Sequence, residues 1–166
     1  MKKIIIAVAF MLGVSAVNAQ SFEEGTKVVQ VGAGFGGDIG TPYGVGFEYG
    51  VSDKIGVGAY VGYSSYDVIG FKYTSILVGA KGNYHFYTND KFDAYGGLLL
   101  GYNNVKVDSG TGTGFGIFGA TTTAAASAVV FGGQLGARYY FTDSIGAFAE
   151  LGYGLANLNV GVAFKF

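Results

Sequence analysis

Three carboxylates and three cations, Glu48, Asp93 and Glu150 with Lys81, Arg138 and Lys165, are the residues best placed to do chemistry. Each lies in a stretch where every second residue is apolar, and each falls on the opposite face, beside Gln30, Asn83, His85 and Gln134. If those faces line a narrow lumen, an unpaired charge there is costly, so carboxylates should meet cations. Two roles are open to such a set. It lines a gated ion path and sets its selectivity, or it forms a salt-bridged plug that keeps the lumen shut. A narrow barrel filled by its own side chains favours the plug.

His85 is the only histidine. Nucleophilic catalysis needs a partner within hydrogen-bond reach, and Ser75, on the same face, is ten residues distant, about 33 Å along a strand. No catalytic residue is expected. Gly32, Gly34 and Gly37, and again Gly114, Gly116 and Gly119, match the spacing of a dinucleotide-binding loop. That motif requires a helix to follow, and here a turn and a strand follow Gly37. In a chain with 31 glycines the matches are chance, and no cofactor is expected.

Eight stretches carry the period-2 pattern of half-buried strands: Val28–Gly36, Tyr43–Val51, Lys54–Tyr63, Thr74–Phe86, Lys91–Tyr102, Ala128–Phe141, Ser144–Leu155 and Leu158–Phe166. Their apolar faces carry no charge. Aromatic residues gather at the ends of the apolar stripes, and small residues, chiefly glycine, dominate the other face. A soluble sandwich would place its charges outward. Here the inside-out arrangement fits better, with lipid outside and a tight polar lumen within. Three copies of a hairpin unit support the meander: Asp53-Lys54-Ile55-Gly56, Asp90-Lys91-Phe92-Asp93 and Asp143-Ser144-Ile145-Gly146, each running up to a tyrosine (Tyr63, Tyr102, Tyr153). Short turns alternate with longer connections, so both termini are expected on the short-turn, periplasmic side.

Residues 1–19 read as a cleavable export signal: Lys2 and Lys3, an apolar core from Ile4 to Val14, and Val17-Asn18-Ala19 before the cut. Residues 20–166 then form one domain of 147 residues with net charge −3, which excludes a basic nucleic-acid surface. The absence of cysteine excludes disulfides and thiolate metal sites.

The signal, the alternating strands, the tight polar turns and the ending Asn159-Val160-Gly161-Val162-Ala163-Phe164-Lys165-Phe166 resemble the small outer-membrane β-barrels of the OmpA/OmpX type. The resemblance implies an all-β, transmembrane, eight-stranded antiparallel up-and-down barrel in the bacterial outer membrane. It also implies that Phe164 and Phe166 form the assembly signal read by the barrel-assembly machinery. The last outer connection is shorter than that pattern expects, and the chain is expected to carry no peptidoglycan-binding domain after the barrel.

The surplus sequence lies in 103–127, where Phe115, Ile117 and Phe118 stand among small residues as a candidate contact surface for an extracellular ligand. That segment either folds over the mouth or prolongs the fifth and sixth strands as a ribbon. The leading expectation is a monomeric, non-enzymatic envelope protein with a structural or surface-interaction role, bound to outer-membrane lipid. A narrow porin-like channel for water, ions or very small solutes is the alternative, and a lipid-modifying enzyme the third reading.

Overall fold

Period-2 alternation with a glycine-rich second face leaves the chain one way to satisfy every backbone group in a lipid layer, which is to pair each strand with its sequence neighbour and close the ring. The computed structural model does this, describing residues 20–36, 41–68, 71–109, 123–154 and 156–166. The expected signal (1–19) and the contact residues Phe115, Ile117 and Phe118 lie outside the described residues. The strands are β1 Lys27–Phe35, β2 Tyr43–Ser52, β3 Ile55–Val68, β4 Phe71–Thr88, β5 Phe92–Ser109, β6 Thr123–Tyr140, β7 Ile145–Tyr153 and β8 Leu158–Lys165. All neighbours are antiparallel, and β1 closes on β8 through pairs such as Val29 with Phe164 and Phe35 with Leu158.

The outer face is apolar and for the most part exposed, with Val29, Ala33, Val160 and Phe164 half-buried at the β1–β8 seam. An upper aromatic row, Phe35, Tyr43, Tyr63, Tyr102, Phe131 and Tyr153, and a lower one, Tyr49, Tyr84, Phe86, Tyr139 and Phe141, bracket a band of valine, leucine and alanine. Such belts mark the two edges of a hydrocarbon layer. Inside, large side chains occupy the space that glycines leave. Tyr95 lies 2.5 Å from where a Gly136 Cβ would stand, and the Phe148 ring 2.7 Å from the same point at Gly32.

Four strands are longer than the alternation suggested. β3 continues to Val68, β4 begins at Phe71, β5 runs to Ser109 and β6 starts at Thr123. Residues 64–68 and 71–73 of the first expected loop are therefore strand, and 103–109 and 123–127 of the second prolong β5 and β6 as a ribbon, while 110–122 lie outside the described residues. Eighteen residues of β4, β5 and β6, tilted about 40°, rise about 45 Å against an apolar band of about 25 Å. The excess projects about 20 Å beyond the upper row. Above that row no continuous apolar stripe is kept, since polar residues such as Ser65, Asp67 and Lys72 are exposed, so the period-2 signal disappears while the ladder of hydrogen bonds continues.

Candidate functional site

The lower half of the lumen is organised around Arg138. The ladder sets Arg138 on β6 opposite Asp93 on β5, and its Nη1 donates to Asp93 Oδ2 at 3.1 Å. Nη2 donates to Gln30 Oε1 at 3.3 Å and, across the lumen, to Glu48 Oε2 on β2. The guanidinium lies 4.2 Å from the centre of the Tyr95 ring. His85 on β4 completes this layer: Nδ1 meets Asp93 Oδ1 at 2.7 Å and Nε2 meets Glu48 Oε1 at 3.0 Å. Carboxylates only accept, so an imidazolium donating from both nitrogens satisfies both partners. Glu48 also accepts from Asn83 Nδ2 at 2.8 Å. Arg138, Asp93 and His85 have essentially no exposed surface. Burial at this depth is tolerable only because nearly every charged atom has a partner.

A second layer sits above it on Glu150 of β7. Its Oε1 accepts from Lys81 Nζ at 3.0 Å, Tyr95 OH at 2.8 Å and Gln134 Nε2 at 3.3 Å, and its Oε2 accepts from Asn159 Nδ2 at 3.1 Å. Tyr95 OH in turn accepts from Gln30 Nε2 at 3.1 Å, which joins the two layers. A cavity of about 10 Å³ opens beside Lys81, Glu150, Tyr60 and Phe148, room for a single water. Over it Tyr60, Leu77 and Leu99 pack as a buried apolar cluster with Val130 against its side. The charged layers thus lie under a greasy upper constriction.

No protein-family model matches the chain, and no curated protein matches it in sequence. Solved structures do. The N-terminal β-barrel domain of Pseudomonas aeruginosa OprF superposes with a TM-score of 0.63 at 19% identity, covering 86% of this chain and 98% of that one. Neisserial surface protein A gives 0.58 at 17% identity, covering 85% and 96%. Ail, the attachment invasion locus protein of Yersinia pestis, gives 0.51 at 16% identity, covering 86% and 99%. The chain has the fold of the small outer-membrane β-barrels.

In this barrel five of the six charges singled out in the sequence come together: Glu48, Asp93 and Arg138 in one layer, Lys81 and Glu150 in the other. Lys165 stands apart. Its Nζ donates to the backbone oxygen of Gln20 at 3.0 Å and lies 5.0 Å from the Tyr140 ring centre, with no ion-pair partner among the described residues. His85 takes its place as the third cation. Its inward parity was readable in the sequence, but not its two carboxylate contacts, because a register shift between His85 and Tyr87 re-aims β4 at this point. Both imidazole nitrogens are committed to carboxylates, and Ser75 Oγ donates to Asn103 Oδ1 at 2.6 Å near the upper mouth. Phe164 sits in the closing seam, paired with Val29 of β1 and Ile145 of β7. Phe166 adds a rung, donating to Lys27 O at 2.9 Å and accepting from Lys27 N at 3.2 Å.

Proposed function

We propose that this chain is a bacterial outer-membrane protein with both termini in the periplasm, a plugged lumen, and a projecting β3–β6 ribbon that contacts an extracellular partner. The observation that carries the reading is the open edge of that ribbon. β3 pairs with β2 only as far as Tyr63, and β6 pairs with β7 only from Gly133 downward. Among the described residues, Ser64–Val68 and Thr123–Phe131 therefore have no strand partner along one side, the feature by which a sheet accepts a further strand. Nothing in the membrane band competes for this role, since its outer face is uniformly apolar. Ail, of the same fold, has been solved with the heparin analogue sucrose octasulfate, which agrees with ligand capture outside the membrane.

Excising 111–124 tests the reading. Cells carrying the full chain should bind an array of matrix proteins and sulfated glycans above chain-free cells. Cells with the excised chain should not, while its heat-modifiable gel mobility still reports a folded barrel. Steady conductance of the full chain in a planar bilayer, without chain-dependent binding, would favour the narrow channel instead. The polar lumen and its water-sized cavity are what support that second reading.

A further inference from the structure

The seven residues ahead of β1 do not hang free below the barrel. A segment before the first strand ordinarily frays unless something ties it down, and this one is tied at four places. At Gly25, whose φ of 87° suits glycine, the backbone turns across the lower mouth. Gly25 N donates to Gly50 O at 2.9 Å, and Gly50 N donates to Thr26 O at 2.8 Å, which fastens the turn to β2. Glu24 N donates to Asp53 Oδ1 at 3.2 Å in the β2–β3 turn. On the far side Ser21 N donates to Asn89 O, and Ser21 Oγ to Phe92 O, each at 2.9 Å, which reaches the β4–β5 turn. Lys165 of β8 holds Gln20 O at 3.0 Å.

The strap carries one large apolar side chain, and that side chain points inward. Phe22 has no exposed surface. Its ring lies flat on the His85 imidazole, with centroids 3.4 Å apart and planes 8° from parallel. Gly50 makes the seat: a Cβ there would stand 3.2 Å from Phe22 Cζ. Phe22 therefore covers the β2–β5 side of the mouth, directly under the Arg138–His85 layer. Tyr140, with Lys165 over its ring, covers the β6–β8 side.

We propose that residues 20–26 are the lower gate of the lumen, with Phe22 as its stopper. On this view the lower charged layer stays dry because the strap is docked, and water reaches His85 from below only when the strap lifts. The gate is separate from the upper apolar constriction and from the projecting ribbon, so its test does not depend on the contact role.

The single histidine provides a direct readout. The exported chain, labelled with ¹⁵N and purified from membranes into detergent micelles, should show His85 ring N–H resonances in slow exchange with water and ring protons displaced upfield by the stacked phenylalanine. Phe22→Ala should speed exchange of those N–H protons about tenfold or more, with the rest of the barrel spectrum retained. Phe22→Tyr should keep them protected. Should Phe22→Ala fail to fold, Phe22→Leu keeps the bulk and removes the ring, and the upfield displacement should vanish. The wild-type chain alone also decides: the amides of Ser21 and Gly25 must exchange slowly. Fast exchange at those amides, or His85 protection unchanged in Phe22→Ala, would overturn the gate.

Discussion

Arg138 and Glu48 are 90 residues apart in sequence and stand on strands that share no ladder, yet they form an ion pair across the lumen. The pair cross-braces the barrel, joining the β5–β6 wall to β2. It is not isolated, because Asp93 and His85 complete a ring in which Arg138 meets both carboxylates and His85 meets both carboxylates. Counted with Lys81 and Glu150 above, three cations face three anions. A dry lumen tolerates that balance and would not tolerate its loss.

Replacing Arg138 with methionine should therefore destabilise the barrel by about 3–5 kcal/mol, because Glu48 and Asp93 would be left partly uncompensated. Urea titration in lipid vesicles measures this. The double variant R138M/E48Q should recover part of the loss, since Asp93 retains His85 at 2.7 Å. A loss below about 1 kcal/mol for the single change would place the pair among exposed, weakly coupled ones and sink the cross-brace.

The outer face makes a sharper claim about one strand. Leu135 is 65% exposed and lies midway on β6 between Phe131 of the upper row and Tyr139 of the lower. Leu135→Arg should cost about 2–4 kcal/mol in a bilayer, whereas Ser144→Arg in the β6–β7 turn should cost about 0–1. Equal effects at the two positions would mean that the apolar band is not the lipid-facing surface.

Much of this architecture was legible in the residues, and the reason differs by region. β1, β2, β7 and β8 emerge within a residue or two, because their two faces meet different environments from end to end. The upper parts of β3 to β6 were hidden. Ser65-Tyr66-Asp67 and Asn103-Asn104-Val105-Lys106 keep no apolar face, and the inter-strand ladder, with the Tyr66–Tyr73 stack and the Asn104–Ser127 bond, holds them extended. In the lumen, parity put the ionisable groups on one face, but which groups meet depends on strand stagger and on the bulge after His85. For that reason Lys165 falls outside the network that its parity predicts, and His85 enters it. Phe22 gave no signal at all, since a lone aromatic in an aperiodic segment resembles any tail.

Two glycines that look alike in sequence should respond with opposite sign. A Cβ at Gly136 would lie 2.5 Å from Tyr95 Cζ, pushing the ring off its bond to Glu150. A Cβ at Gly82 meets nothing within 4 Å. Gly136→Ala should cost about 1–3 kcal/mol through overpacking, while Gly82→Ala should be neutral or gain up to about 1 kcal/mol from the entropy of the unfolded chain. The same vesicle titration separates them. A harmless Gly136→Ala would show that Tyr95 is not wedged against β6.

Phe166 presents two roles that one comparison separates. Structurally it contributes two backbone bonds to Lys27 at the foot of the closing seam, and its side chain is only half-buried, so Phe166→Ala should change equilibrium stability by no more than about 1 kcal/mol. If Phe166 and Phe164 are also what the assembly machinery reads, as the resemblance to small outer-membrane barrels implies, the effect in cells must be larger than that figure allows. Folded barrel recovered from membranes should fall about fivefold or more for Phe166→Ala, and further for the F164A/F166A double variant, while refolding of both from urea into detergent proceeds to nearly the wild-type yield. A thermodynamic loss of about 1 kcal/mol leaves a barrel of ordinary stability almost wholly folded, so it does not by itself produce such a deficit. Parallel losses in the cell and in the tube would instead assign both phenylalanines to the seam alone.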